Sequence, residues 1–296
     1  VTGAEIADVV DPLAPLRDGF YDDGVVRVGT VWIDSLSLRT GHFHVRRAAN
    51  RIVIGHRLAR HDLDNDVTGV IADELFRSGP LTGTELFERV LTGVVRTTVP
   101  EPLLAWNTFY DKTLVKIRAL WTATPEPGTP IADMAPVYRR ALAFVPPGSV
   151  LDLGSCFGFF PLLLAEGGCH DVIATDLVRG SMTLLSRIAR VRGSALDTLA
   201  CDAMSVPLPD NCVRTVTVLH LLEHLDPVQG RAVIAEAVRL ARERVLVAVP
   251  FEQEPDATYG HVRTFDLAEL AVLGIETGLP FTVSEHHGGW LVLDTR

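Results

Sequence analysis

The sequence predicts an α/β protein: a mostly parallel, seven-stranded sheet in its second half, preceded by a smaller α+β unit. Three observations predict it. From Val150 onward, short Val/Leu/Ile-rich runs alternate with helical patterns. The first of these runs feeds a glycine-rich turn, Gly154-Ser-Cys-Phe-Gly158, that opens a helix. The last two runs, Phe281 to Glu285 and Trp290 to Asp294, are too close for a crossover helix and read as an antiparallel hairpin.

The 296 residues suffice for one large domain or two modest ones, and 47% apolar residues supply a sizeable core. A formal charge of −10 argues against nucleic acid as the main partner, because a phosphate backbone calls for a basic face. No apolar run approaches the roughly 18 residues of a membrane span, and no signal peptide is apparent at Val1. Cys156, Cys169, Cys201 and Cys212 form no C-x-x-C pair, and the expectation is free thiols in a reducing cytoplasm.

The first half reads as follows. Asp22-Asp23-Gly24 marks a turn before a β-branched strand over Val25 to Ile33. His42 to Arg47 and Arg51 to His56 form a hairpin, and its histidines His42, His44 and His56 read as half-exposed strand residues rather than ligands. Asp62-Leu-Asp-Asn-Asp66 lacks the glycine and glutamate of a calcium loop, so Asp64 or Asp66 reads as the cap of a helix over Val67 to Phe76. Thr82 and Glu85 match a capping box for a helix reaching about Val95. Leu103, Trp106, Tyr110, Leu114, Ile117 and Trp121 recur at helical spacing on a helix over Pro102 to Trp121. The prolines between Thr122 and Pro130 mark a linker, so an accessory or substrate domain spans 1–130 and a second domain 131–296.

The second half begins with a helix over Ala132 to Phe144. Strands follow at Val150 to Leu153, Asp171 to Thr175, around Leu199 and Ala200, at Val213 to Leu219 and at Val245 to Val249. Helices are read over Ser181 to Arg192, Pro227 to Arg242 and Asp266 to Thr277. Three acids stand at successive strand ends: Asp152, Asp176 and Asp202. Ligands of open α/β sheets bind outside the carboxyl ends of the strands. Asp176 is placed to accept both hydroxyls of a ribose, which suits a dinucleotide enzyme as well. Asp152 lies in the turn entry, where a phosphate would be repelled.

Asp152-Leu-Gly-Ser-Cys-Phe-Gly158 resembles motif I of the class I S-adenosylmethionine-dependent methyltransferases, with Cys156 where that family usually has glycine. The resemblance implies a Rossmann-like sheet and S-adenosyl-L-methionine as cofactor, with S-adenosyl-L-homocysteine as product. It implies that Asp152, Gly154, Ser155, Cys156 and Gly158 hold the amino acid end of the cofactor. Asp176 would take the ribose, and Asp202-Ala203-Met204 the adenine, with Leu177 and Met204 against its faces. Val218-Leu-His-Leu-Leu-Glu-His-Leu225 resembles the His-x-x-Glu-His segment of small-molecule methyltransferases, which places His220, Glu223 and His224 at the transferred methyl and His220 also beside the cofactor. That run has the inverted zincin order, but the zincin pattern belongs on a helix and this one straddles a strand end, so no metal is expected there.

The polar loop Pro250 to Phe265 carries Glu252, Glu254, Asp256, Tyr259, His261 and Arg263, which read as substrate contacts; its carboxylates are also of the kind that collect a divalent cation. The turn between the last two strands adds His286 and His287 on the same rim. A hydroxyl nucleophile needs a base, and the candidates in order are His224, His220 and His261. The four segments Val150 to Phe160, Thr217 to Leu225, Pro250 to Phe265 and His286 to Trp290 together resemble the actinobacterial mycofactocin oligosaccharide methyltransferases. That resemblance implies O-methylation of a glucose hydroxyl on the glycan of a peptide-derived redox cofactor, the extra domain providing walls for a sugar chain. Methylation of another small molecule or glycan, a nicotinamide-dependent oxidoreductase, and a non-catalytic protein that keeps the cofactor remain open at this point.

Overall fold

The computed structural model describes residues 10–30, 37–48, 51–77, 79–123, 128–168 and 171–296. The chain divides into two compact units, Val9–Ala135 with Ala257–Tyr259, and Pro136–Asp256 with Gly260–Arg296.

The first unit contains strands β1 (Tyr21–Asp22), β2 (Val26–Gly29), β3 (Leu38–Arg39), β4 (Phe43–Ala48) and β5 (Arg51–His56), then helices α1 (Asp66–Ile71), α2 (Thr84–Thr98) and α3 (Pro102–Leu120). The strands form one sheet in the order β1-β2-β5-β4-β3, in which only β2 and β5 run parallel. A strand was expected to Ile33; β2 ends at Gly29, and 31–36 lie outside the described residues, as do 49–50 of the hairpin turn. Helix α1 continues as a π-helical stretch, Ala72–Arg77. The capping box expected from Thr82 and Glu85 does not form: Gly83 takes the cap position at φ 97°, and Glu85 pairs with Arg89 at 2.8 Å. Helix α3 starts where predicted, because Pro102 presets the first turn and Glu101 accepts the Leu103 and Leu104 amides. Its stripe of Trp106, Tyr110, Leu114 and Ile117 is buried, as the spacing predicts. His44 and His56 are buried hydrogen-bonded groups, His44 on Ser37 and His56 on Thr97, and His42 pairs with Glu74. The Asp62–Asp66 run is spent on structure: Asp62 accepts from Ala59 N, and Asp64 and Asp66 pair with Lys116.

Helix α4 (Pro130–Phe144) follows, and the second unit begins inside it at Pro136. Then come β6 (Val150–Leu153), α5 (Phe159–Glu166), β7 (Val172–Asp176), α6 (Arg179–Arg192), β8 (Leu196–Ala200), β9 (Val213–Leu219), α7 (Pro227–Leu240), β10 (Ala241–Val249), α8 (Leu267–Thr277), β11 (Phe281–Glu285) and β12 (Gly289–Asp294). The sheet order is β11-β12-β10-β9-β6-β7-β8. All neighbours are parallel except β12, antiparallel to both β10 and β11. The terminal hairpin is therefore real, and β11 runs with the parallel strands. Helix α7 is capped by Asp226 and Gln229 in a reciprocal box, and it stops at Leu240 rather than Arg242 because Ala241 already pairs with Val213 of β9. The sheet core is apolar: Leu151, Leu153, Val216, Val218, Val245 and Val247 are fully buried. Because β6 pairs with both β7 and β9, chain order reverses there, and the connections leaving β6 and β9 rise side by side.

Candidate active site

The turn after β6 is built by hydrogen bonds between distant segments. Asp152, 3% exposed, accepts from the Thr217 hydroxyl of β9 at 2.5 Å and from the Ser155 hydroxyl at 2.7 Å. The Ser155 oxygen accepts in turn from Thr175 N of β7. Asp152 therefore braces three adjacent strands at the reversal point. Burial pushes its carboxyl up to about 7, against the two hydroxyl donors, and the charge of Asp176 adds to the rise. The turn needs left-handed backbone at Gly154 (φ 72°), Cys156 (φ 51°) and Gly158 (φ 73°). A Cβ at Gly158 would lie 2.3 Å from Leu185, so glycine is required there by space as well as by φ. Cys156 is exposed and adopts a conformation that disfavours a side chain.

Asp176 ends β7. Its Oδ2 accepts from Cys156 N at 2.8 Å and its Oδ1 from Val178 N at 2.9 Å, so the acid is fixed against the turn. Burial raises its carboxyl above the ordinary range, and these amides partly offset the rise. Leu177 beside it is half-buried. Asp202, also half-buried, follows β8 and closes a local turn by accepting from Met204 N at 2.8 Å, while Ala203 and Met204 pack against the sheet core. Asp152, Asp176 and Asp202 thus share one rim.

The connection leaving β9 supplies the histidines. His220 is left-handed (φ 53°), and its Nε2 is buried without a hydrogen-bond partner. Burial lowers it to about 4, with the charges of His261 and His224 adding, so it is neutral at pH 7. A single tight turn, Leu222–His224, follows. Glu223 is fully buried, neither of its oxygens has a hydrogen-bond partner, and burial raises it to about 8. His224 keeps an exposed edge; burial of the rest of the ring, then the charge of His261, lowers it. Its ring stands edge-on to that of His261, with centroids 4.8 Å apart.

The loop leaving β10 reaches the same place. His261 Nδ1 lies 2.8 and 3.0 Å from the two oxygens of Glu252, and Val262 N donates to Glu223 O at 2.8 Å. Other expected substrate contacts have local partners. Arg263 lies over Phe265 at 4.2 Å and beside Glu269. Tyr259 belongs to the first unit, where it meets Phe87 edge-on and Arg77 at 5.5 Å. Asp256 accepts from His261 N through its backbone, and Glu254 is exposed. At the β11–β12 turn, a Cβ on Gly288 would lie 2.3 Å from Val249 O, so glycine lets this turn close onto the end of β10. His287 is exposed, and His286 is half-buried, lowered by burial and by Arg140.

Two residues at this rim escaped the sequence reading of the site. Thr217 was legible only as a polar residue in an apolar strand. Tyr138 of α4 stacks on Phe160 at 5.9 Å, and the charges of Cys156 and Asp152 reach its phenol, which burial raises.

Residues 150–244 match the family model described as "Methyltransferase domain". No curated protein matches the chain. Among solved structures, a SAM-dependent methyltransferase from Aquifex aeolicus is 18% identical, with 61% of this chain and 96% of that one covered and a TM-score of 0.45. A 1,6-didemethyltoxoflavin-N1-methyltransferase from Burkholderia thailandensis, bound to 1,6-didemethyltoxoflavin and S-adenosylhomocysteine, is 20% identical over 73% of this chain and 91% of that one, with a TM-score of 0.44. The PH0226 protein from Pyrococcus horikoshii OT3 is 16% identical over 56% and 90%, with a TM-score of 0.45. No residue role follows from likenesses of this order. Residues 150–244 of the chain carry a methyltransferase domain. The chemistry of the rim fits S-adenosylmethionine: a glycine turn, two acids on the open rim and a third braced beneath them. No helix among the described residues is long and apolar enough to cross a membrane.

Proposed function

We propose that the chain is an O-methyltransferase whose acceptor is a sugar hydroxyl, with the mycofactocin oligosaccharide as the acceptor its whole-chain resemblance favours. The observation that carries the reading is His220: a neutral imidazole with an unpartnered, buried Nε2, at the end of β9 and on the same rim as the three acids. A sugar hydroxyl is a weak nucleophile, and a neutral imidazole takes its proton as the bond forms. His220 moves ahead of His224 and His261 as the base, since its Nε2 is buried and has no hydrogen-bond partner.

When bound, the cofactor supplies a methyl group activated on a sulfonium, and transfer is an in-line displacement. The protein's part is alignment and exclusion of water. Asp176 takes the ribose hydroxyls and Asp202 the adenine amine, with Leu177 and Met204 at the ring faces and Ala203 beside them. Gly154, Ser155, Cys156 and Gly158 let the backbone approach the amino acid end, and Asp152 balances its ammonium. Glu252, Glu254, Asp256, His286 and His287 border the acceptor's approach, while Tyr259 and Arg263 act first as packing residues.

The test is calorimetric titration with S-adenosylhomocysteine, followed by incubation with S-adenosylmethionine and glucose oligosaccharides and mass analysis for an added methyl group. Asp176→Ala is expected to weaken binding by roughly ten- to a hundredfold, the loss of hydrogen bonds to a charged group worth about 1.5–3 kcal/mol. His220→Ala is expected to keep binding and lose transfer. Unaltered binding in Asp176→Ala would remove that residue from the site, and cofactor turnover confined to non-sugar acceptors would remove the sugar.

A further inference from the structure

We propose that Glu223, His224 and His261 form a binding site for a divalent transition-metal ion. Each offers one ligand atom, and these atoms lie within 4.8 Å of one another. The first two come from the turn after β9, and the third comes from the loop after β10. The Val262 N to Glu223 O hydrogen bond ties the two segments together, so the grouping is held by backbone.

Two further observations point to an ion. Glu223 is 0% exposed, and neither oxygen has a hydrogen-bond partner; His220 Nδ1 stands 3.4 Å from Oε1 without making one. A carboxylate buried without partners is expensive, and coordination is one of the few arrangements that stabilises it. His261 is held from behind: its Nδ1 has both Glu252 oxygens. An acceptor on one nitrogen holds the proton there and turns the other nitrogen's lone pair inward, which is how metal-binding imidazoles are oriented.

The donor set names the class of ion. Two imidazoles and one carboxylate suit Zn²⁺, Co²⁺, Mn²⁺ or Fe²⁺, whereas Mg²⁺ and Ca²⁺ favour all-oxygen sites. Three protein ligands leave coordination positions open for an oxygen, and on the reading above that oxygen is the acceptor hydroxyl. Only this use of the ion rests on that reading. The set is not the His220/His224 pair of the H-x-x-E-H spacing: the sequence pattern supplies two ligands, and the third lies in another segment.

The test uses the full chain after chelator treatment, titrated with Co²⁺ and followed by visible absorption, with metal per chain counted by elemental analysis. One Co²⁺ per chain with coordination bands in the visible is expected, displaced by Zn²⁺. His261→Ala is expected to lose at least about a hundredfold in Co²⁺ affinity, and Glu252→Gln about ten- to a hundredfold. Glu223→Gln tests the buried ligand. S-adenosylhomocysteine titration of each variant reports whether the fold is kept. Wild type that binds S-adenosylhomocysteine and takes up no Co²⁺ overturns the metal site and leaves the methyltransferase reading standing. Stoichiometric Co²⁺ binding unchanged in His261→Ala overturns it as well. Co²⁺ uptake lost in these variants, in a wild type that methylates no hydroxyl, supports the site and sinks its proposed use.

Discussion

Asp152→Asn gives the sharpest test of how the cofactor turn is held. The carboxyl stands at about 7 in the folded chain against an ordinary 3.8, because it is buried beneath the turn. The folded state therefore keeps a proton that the unfolded chain has released. Stability is greatest below the unfolded value, falls as pH rises from about 4 to 7, and is flat above. The full difference between 3.8 and about 7 corresponds to about 4 kcal/mol, of which about 3 kcal/mol falls between pH 5 and pH 8. Asparagine is close to isosteric: its oxygen still accepts from Thr217, and its amide donates to the Ser155 oxygen. It does not titrate. Thermal melts of the cofactor-free chain followed by circular dichroism, wild type against variant, should show the variant's advantage growing from pH 5 to pH 8. At about 2–4 °C per kcal/mol, the change in the Tm difference is about 6–12 °C. A difference independent of pH would refute the buried, protonated carboxyl and with it the account of the turn.

Three other outcomes follow from the same geometry. Balancing a cofactor ammonium requires Asp152 ionised, so S-adenosylhomocysteine affinity should fall by up to about tenfold per pH unit below about 7, with proton release visible as a buffer-dependent heat in calorimetry; affinity flat from pH 5 to 8 would exclude Asp152 from that role. Cys156 sits at φ 51°, so Cys156→Gly should leave stability equal or raise it by up to about 1 kcal/mol in urea titration, while Cys156→Val should lower it by more than about 1 kcal/mol. At Gly288 a Cβ meets Val249 O at 2.3 Å with φ at 116°, so Gly288→Ala should lower stability by at least about 2 kcal/mol; a melt within a degree of wild type would show that the turn moves freely.

Much of the methyltransferase unit was legible because its signals are local. Strand runs bounded by glycine, an acid at each strand end and a hairpin too short for a crossover each lie within a few residues, and backbone periodicity fixes them. The boundaries that shifted did so for long-range reasons. Helix α7 gave up Ala241 to pairing with β9, and Gly83 displaced the expected cap of α2. In the loop after β10, composition singled out a region but did not sort its members: Arg263 is stacked on Phe265, and Tyr259 packs with Phe87.

The sequence by itself determined the α/β order and the acids at the strand ends, because each follows from the residue pattern of a single segment. Only the tertiary structure decided that Thr217 holds Asp152, and that His261 rather than His220 completes a cluster with Glu223 and His224. The physical reason is that those pairings depend on where loops return after long excursions. A hydrogen bond across 65 residues, or a ligand set split between two loops, costs chain entropy that is recovered only once the sheet has brought the segments together, so no local pattern encodes it.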